Sequence, residues 1–183
     1  TLTLALKNNC ISISGSASNE WFMEFRRWLT TVPSTPCLDD TDFVSLDYKR
    51  MIDLKRSIES GNVLFKSDSP DPVKGEVEMM ETLASEIREL TELSTRLDIP
   101  VKVTIYGHTD RSGTEERNKR LSQMRAERIM DFLTSRGVPA NFLSIKALGS
   151  SKPVSSEETE PGLEKNRRIS LEVTISKRPR SRD

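Results

Sequence analysis

The 183-residue chain has one histidine and two cysteines, and Cys10 and Cys37 do not form a C-x-x-C motif. With so few nitrogen and sulfur ligands, a Cys/His zinc site is not expected. The carboxylates show no calcium-loop spacing, and no glycine loop has the phosphate-binding pattern. The sequence therefore predicts no metal and no cofactor. The two cysteines suit either one disulfide or two buried thiols.

Long apolar runs and an excess of one charge are also absent. No run approaches the roughly 18 apolar residues that a membrane helix needs. Basic and acidic residues number 28 each, so the net charge is zero and no nucleic-acid partner is expected. The first residues lack a signal-peptide pattern, and the chain looks like a segment of a longer protein. We expect any membrane attachment to come from a segment outside it.

Residues 1–45 predict a small ββαβ unit. Residues 2–6 and 10–17 alternate in polarity around an Asn-Asn turn, which is typical of a hairpin. Residues 19–32 predict an amphipathic helix, and residues 37–46 a third strand. The aromatic face of the helix is interpreted as core; its apolar residues are Trp21, Phe22, Phe25, Trp28 and Leu29.

Residues 46–61 predict a connecting helix, and residues 62–176 a larger α+β domain. Its pattern is βαβαββ, with two helices on one face of a mixed four-stranded sheet, which is a two-layer sandwich. The predicted strands are 62–66, 101–107, 141–149 and 166–176; the predicted helices are 73–97 and 115–136, and residues 150–162 are a polar loop. Residues 177–183 are predicted to be a basic flexible tail.

The most informative residues lie in the loop after predicted strand 101–107 and on the helix that follows it. Asp110 follows the end of strand 101–107, and Asn118 and Arg125 lie on one side of helix 115–136. A loop carboxylate and a helix guanidinium at opposite ends of a pocket would complement a zwitterion, because the first binds an ammonium and the second a carboxylate. The spacing by itself favours the simpler alternative, a plain ion pair between Asp110 and Arg125 that ties the loop to the helix.

From residue 62 to residue 176 the sequence resembles the OmpA-like peptidoglycan-binding domain. The resemblance rests on short motifs at characteristic spacing. These are Gly107-His108-Thr109-Asp110 with Gly113, Asn118, Leu121-Ser122, Arg125-Ala126, Gly137-Val138, Gly149 with Lys152-Pro153, and Asn166-Arg167-Arg168. The resemblance implies non-catalytic binding of peptidoglycan and a periplasmic location. It also makes a homodimer plausible.

The same resemblance implies roles for particular residues. Asp110 and Arg125 would bind the ammonium and the carboxylate of diaminopimelate in the peptidoglycan stem peptide. Thr109, Asn118 and Asp68 are candidates for the rim, although Asn118 equally suits a bond to the backbone near the helix start. Asp68 departs from the family pattern, which favours a neutral Asn there. Arg167 and Arg168 are interpreted as structural, one paired with a loop carboxylate and the other solvated.

Residues 1–45 have a weaker resemblance to BON domains, carried by Gly15 after the second strand and by the order of elements. This resemblance implies contact with a membrane or a protein. It supports an alternative function, in which the chain is a structural or interaction module of the cell envelope and residues 1–45 supply the contact surface.

An enzyme is not predicted. His108 and Asp110 lie two residues apart, but no nucleophile is placed beside them and no G-x-S-x-G motif occurs. We interpret His108 as a structural residue at a strand end.

Overall fold

The computed structural model of the protein describes residues 2–33 and 36–176. The chain divides into two compact units, residues 1–53 and residues 54–183, which we call the N-terminal unit and the C-terminal unit. The predicted basic tail, residues 177–183, lies outside the described residues. None of the described helices is both long and apolar enough to cross a membrane.

The N-terminal unit has the predicted ββαβ order. Its elements are β1 (Leu2–Lys7), β2 (Cys10–Ala17), α1 (Asn19–Leu29) and β3 (Cys37–Ser45), and α2 (Leu46–Ser60) follows and continues into the C-terminal unit. The sheet order is β1-β2-β3, with β2 antiparallel to β1 and parallel to β3. Asn8 and Asn9 both have positive φ, 51° and 58°, which a two-residue hairpin turn requires.

The aromatic face of α1 is only partly core. Phe22 and Leu29 are buried, and the Phe22 ring stacks on Phe43 with 4.4 Å between centroids. Trp28, however, is 55% exposed, so the interpretation of this residue as core is wrong. An 11-residue helix has too few turns to turn every aromatic side chain toward a three-stranded sheet.

Cys10 and Cys37 form a disulfide that joins β2 to β3, where the two residues are register partners. We predict that Cys10→Ser lowers the free energy of unfolding of the N-terminal unit by about 3 kcal/mol, because the cross-link closes a loop of 27 residues in the unfolded chain. Thermal unfolding of the parent under reducing conditions should match that of the variant. Equal stability of the oxidised parent and the variant would contradict the prediction.

The C-terminal unit is an α+β sandwich, as predicted. Its strands are β4 (Asn62–Leu64), β5 (Val101–His108), β6 (Leu143–Gly149) and β7 (Arg168–Ile175); its helices are α3 (Val77–Leu97), α4 (Glu115–Ser135) and α5 (Glu160–Asn166). The sheet order is β4-β7-β5-β6. β5 runs parallel to β6 and antiparallel to β7, so the sheet is mixed.

The two faces of this sheet differ in chemistry. One face is apolar and buried beneath α3 and α4; it includes Val63, Val103, Ile105, Ile169, Leu171 and Val173. The other face is polar and holds side-chain pairs across strands, among them Thr104 with Ser144 and His108 with Ser170. The alternation of polar and apolar residues in the sequence predicted this division.

Two features of the C-terminal unit differ from the sequence prediction. Residues 160–166, placed partly in a loop and partly in the last strand, form α5, and β7 begins only at Arg168. The helix is too short to show a period in the sequence, and Pro161 stands in its first turn, where proline is tolerated. In addition, α3 begins at Val77 and not at residue 73 as predicted, and Val77 in its first turn is 62% exposed.

Gly107 brings α4 close to β5. A Cβ atom on Gly107 would lie 1.9 Å from the main-chain oxygen of Ser122, a separation that no side chain tolerates. We predict that Gly107→Ala lowers the free energy of unfolding of the C-terminal unit by about 3 kcal/mol, since α4 must move away from the sheet. Gly75→Ala serves as the comparison, because its added Cβ meets nothing within 4 Å and its cost comes only from the positive φ of 102°, without a clash. Urea unfolding of the two variants tests this, and equal midpoints would contradict it.

Candidate functional site

The candidate site lies at the carboxyl end of β5, where the chain turns into α4. Thr109 continues the strand by donating its N–H to the Gly149 carbonyl at 2.9 Å. The turn then passes Gly113, with φ of 92°, and Thr114 caps α4 by accepting the Arg117 N–H on its hydroxyl. The loop between β5 and α4 is therefore fixed at both ends.

Asp110 is held at the centre of this loop. Its carboxylate accepts the Ser112 N–H at 3.0 Å on Oδ1 and the Arg167 guanidinium at 3.1 Å on Oδ2, and the residue is only 5% exposed. A carboxylate offers about four acceptor positions. Two are used by these bonds, so the group retains acceptor capacity toward the cavity that it lines.

Arg125 is fully buried under the site and binds three main-chain carbonyls. Nε donates to Ser69 at 3.0 Å, Nη1 to His108 at 2.9 Å and Nη2 to Lys66 at 2.9 Å. Burial lowers the pKa of Arg125 to about 10, and the charge of Asp110 partly opposes that shift, so the side chain remains a cation at neutral pH. These bonds use three of its five N–H groups. Arg125 thus positions both loops of the site while facing the cavity.

The partner of Asp110 differs from the plain ion pair that the spacing allowed. In the described part of the chain, Asp110 forms its ion pair with Arg167, and Arg125 binds carbonyls. Arg167 also bonds Glu160 on α5 at 2.9 Å, with 7% of its side chain exposed. The interpretation of Arg167 as paired with a loop carboxylate is confirmed, and the residue in addition lines the cavity.

Asp68 lies across the cavity in the loop after β4, with positive φ. Its exposed carboxylate pairs with Arg117 on the first turns of α4. Because both side chains are more than half exposed, this pair contributes little to stability. It does place a second carboxylate and a further guanidinium at the rim.

The remaining predicted residues, Asn118 and Thr109, are buried. Asn118 donates to the Asp110 carbonyl at 3.3 Å, which is the backbone bond that the sequence allowed for this residue, and it also lines the cavity. The Thr109 hydroxyl has no hydrogen-bond partner among the described residues. A buried hydroxyl without a partner costs free energy, so Thr109 is well placed to bond a ligand atom.

Together these residues surround a cavity of about 210 Å³. All five predicted site residues line it, and the lining also includes Ser67, Ser112, Gly113, Arg117, Leu121 and Arg167. Three arginines and two aspartates carry its charge. Sequence reasoning missed Arg117 and Arg167 as lining residues, although Arg167 stood in the Asn-Arg-Arg motif. A cavity with both signs of charge suits a ligand that carries an ammonium and a carboxylate.

His108 lies at the end of β5 beneath the site. Its Nε2 contacts the Ser170 hydroxyl at 3.0 Å, and its carbonyl accepts from Arg125. Burial, together with the charge of Arg168, lowers the pKa of His108 from its ordinary 6.5 to about 4. The residue is therefore neutral at physiological pH.

We predict an acid-dependent loss of stability from His108. The unfolded chain, with an ordinary histidine pKa, binds this proton more readily, so the contribution is fully present above pH 6.5 and is lost as the pH falls toward 4. Between pH 7 and pH 4.5 the free energy of unfolding should fall by roughly 2–3 kcal/mol more in the parent than in His108→Gln. Urea unfolding at both pH values measures this. Parallel losses in parent and variant would show that His108 is not responsible.

No group of three or more histidine, cysteine, aspartate or glutamate side chains in residues 2–33 and 36–176 is arranged to hold a metal ion. The chemistry of the cavity is that of charged hydrogen bonds.

The fold and this cavity define a class of protein: an α+β domain with a cavity of mixed charge at the loop between β5 and α4. The family model described as "OmpA family" matches residues 74–167, just over half of the chain, and the chain belongs to that family.

Several characterised proteins are similar to this chain. The peptidoglycan-binding protein ArfA of Mycobacterium tuberculosis is 30% identical over 117 residues, which are 64% of this chain and 33% of that protein. The outer-membrane lipoprotein YfiB of Pseudomonas aeruginosa is 40% identical over 72 residues, 39% of this chain and 43% of that protein. The chain thus spans about a third of the length of ArfA.

Solved structures agree with the fold. The peptidoglycan-associated lipoprotein of Burkholderia pseudomallei has a TM-score of 0.54 at 27% identity, over 62% of this chain and 89% of that chain. The C-terminal domain of Helicobacter pylori MotB has a TM-score of 0.53 at 23% identity, over 63% of this chain and 84% of that one. The predicted OmpA-like α+β sandwich is confirmed. The family match lies within the C-terminal unit, and the BON-like resemblance of residues 1–45 stays a prediction.

Proposed function

We propose that the C-terminal unit binds peptidoglycan without catalysis, by holding the diaminopimelate of the stem peptide in the cavity, and thereby anchors an envelope protein to the cell wall. The observation that carries this proposal is the presence of Asp110 and Arg125, with Arg167, around one small cavity of mixed charge. The names of the relatives support it, since ArfA is called a peptidoglycan-binding protein.

In the proposed complex, Asp110 accepts hydrogen bonds from the ligand ammonium. Its carboxylate is already oriented by Ser112 and Arg167, so little side-chain entropy is lost on binding. The ligand carboxylate receives the N–H groups that Arg125 retains on Nη1 and Nη2. Thr109 lies beside Asp110 and supplies a hydroxyl.

The exposed pair of Asp68 and Arg117 forms the movable side of the site. Arg117 turns toward a ligand carboxylate at small cost, because an exposed ion pair contributes at most about 1 kcal/mol. The carboxylate of Asp68, where the family pattern favours a neutral side chain, then adds attraction for the ammonium.

A single site of this kind binds weakly. Charged hydrogen bonds contribute about 1.5–3 kcal/mol each, which suits a dissociation constant in the micromolar to millimolar range. Firm attachment comes from repeated engagement of a polymer that presents the ligand many times. We propose an envelope location on the same basis, with attachment supplied by a segment outside this chain; several relatives are named as lipoproteins.

Calorimetric titration tests the ligand. We expect meso-diaminopimelate to bind at least about tenfold more tightly than 1,5-diaminopentane, which keeps both ammonium groups but has no carboxylate. Raising the salt concentration should weaken binding. Equal affinity for the two compounds would overturn the assignment of a carboxylate to Arg125, and no binding of either would overturn the proposed ligand.

A second candidate function rests on the N-terminal unit. Trp21, Phe25 and Trp28 form a row of neighbouring rings on α1, with centroid separations of 5.3 and 5.7 Å, and Trp28 is largely exposed. Aromatic rings beside Arg26 and Arg27 suit contact with a lipid or protein surface. Sedimentation with anionic vesicles, for the parent and Trp28→Ser, tests whether lipid is that surface; equal sedimentation of both would count against it.

A further inference from the structure

A second charged cavity lies on the polar side of the sheet, apart from the site already described. It has a volume of about 280 Å³ and is lined by Asn62, Leu64, Val154, Lys165 and Arg168. None of these residues lines the cavity at Asp110. Leu64 and Arg168 are register partners in β4 and β7, so the sheet itself places the guanidinium at the cavity wall.

Arg168 is a buried cation for which residues 2–33 and 36–176 supply no carboxylate partner. The residue is 6% exposed, and its one described hydrogen bond runs from Nη2 to the Lys152 carbonyl at 3.3 Å. Nη1 is buried and has no hydrogen-bond partner among the described residues. Burial lowers the pKa of Arg168, and no carboxylate opposes that shift. The expectation that one of Arg167 and Arg168 is solvated is therefore wrong, because both are buried.

This arrangement contrasts with that of the neighbouring Arg167, which bonds two carboxylates. A buried guanidinium with an unused donor is costly unless an anion compensates it. The cavity beside Arg168 has room for such an anion, and the exposed amine of Lys165, for which the described residues supply no ion pair, stands on the same wall.

The walls of the cavity are held in place. Asn166 accepts the N–H groups of Val154 and Ser155 at 2.8 and 3.1 Å and donates to the Ser155 carbonyl at 3.1 Å. These bonds fix the loop after β6 over Arg168. A fixed wall favours a ligand site over a transient surface gap, because the groups that contact the ligand are already oriented.

We propose that Arg168 and Lys165, with Asn62, form a second binding site that takes an oxyanion, a carboxylate or a phosphate group. The guanidinium offers Nη1, the ammonium of Lys165 adds a second charge, and the Asn62 amide supplies a neutral donor. Leu64 and Val154 suit an apolar group that carries the anion. The site is independent of diaminopimelate binding at Asp110.

The single histidine provides a direct probe, since the charge of Arg168 acts on His108. We would follow the His108 ring signal and the backbone amides by NMR at pH 7 during titration with sodium phosphate, sodium acetate or sodium chloride at equal ionic strength. The proposal expects saturable shifts at His108, Val154 and Lys165 with phosphate, acetate or both, and not with chloride. A response to one of the two oxyanions identifies which group the site prefers.

Lys165→Glu is the test variant, because Lys165 is exposed and its replacement leaves the fold intact, whereas Arg168→Gln risks misfolding. Lys74→Glu is the matched control, an equally exposed lysine of the same unit that lies outside this cavity. We expect Lys165→Glu to weaken oxyanion binding about tenfold or more and Lys74→Glu to leave it unchanged. Equal responses to all three salts, or equal affinity of parent and Lys165→Glu, would overturn the proposal.

Discussion

Arg125→Ala is expected to lower the free energy of unfolding of the C-terminal unit by about 4 kcal/mol. The substitution removes the donors for the carbonyls of Lys66, Ser69 and His108, and each unsatisfied buried acceptor costs about 1–3 kcal/mol before relaxation. It also removes the cation that packs over the Phe65 ring, with 5.2 Å between guanidinium carbon and ring centroid. Urea unfolding followed by circular dichroism measures the loss.

Arg125→Lys, measured in the same way, separates the effect of the positive charge from the effect of the planar guanidinium group. Lysine keeps the positive charge but cannot reach three carbonyls with a planar fork, so we expect an intermediate loss of about 2 kcal/mol. The same change should also weaken ligand binding. Arg128→Ala is the matched control, an exposed arginine on the same helix. A free energy of unfolding for Arg125→Ala within about 1 kcal/mol of that of the parent would contradict the view that its three hydrogen bonds to carbonyls hold the loops in place.

Asp110→Asn is expected to weaken binding of meso-diaminopimelate by about tenfold to a hundredfold, since it removes the negative charge that faces the ligand ammonium. The amide oxygen of the variant can still accept from Ser112 or Arg167, and Glu160 continues to pair with Arg167. We therefore expect the variant to fold. Calorimetric titration at matched folded concentration measures the effect.

The interpretation of that experiment depends on Arg167. In the parent this guanidinium is shared between Asp110 and Glu160. When Asp110 becomes neutral, Arg167 is freed toward the cavity, which further disfavours an ammonium there. Unchanged affinity in the folded Asp110→Asn variant would contradict the assigned role of Asp110 and would shift attention to Asp68.

Much of the fold could be predicted from the sequence because its elements are long and regular. The alternation over Val101–Ile105 and the helical stripe from Met80 to Leu93 identify β5 and α3 without tertiary information. The short α5 and the exposed Trp28 could not be predicted in the same way. Whether α5 forms and whether Trp28 is buried depend on which other parts of the chain pack beside them, and the spacing of apolar residues carries no information on that.

The candidate site could likewise be predicted only in part from the sequence. The motif from Gly107 to Ala126 located the loop and the helix, and Asp110 and Arg125 do meet at one cavity. What spacing could not reveal was the partner of each charge. Arg167 is 57 residues from Asp110 in the sequence, and the carbonyls that bind Arg125 leave no side-chain signature. Ion pairs and hydrogen bonds of this kind form where segments that are distant in the sequence come together in the folded chain.

Sedimentation with purified diaminopimelate-containing peptidoglycan tests the central claim most directly. The samples are the parent, Asp110→Asn and Asp131→Asn, the last being an exposed aspartate on α4 outside the cavity. The account predicts that the parent and Asp131→Asn sediment and are released by excess free meso-diaminopimelate, while folded Asp110→Asn stays in solution. If all three sediment equally and free diaminopimelate releases none of them, the chain attaches to the wall through a surface other than this cavity.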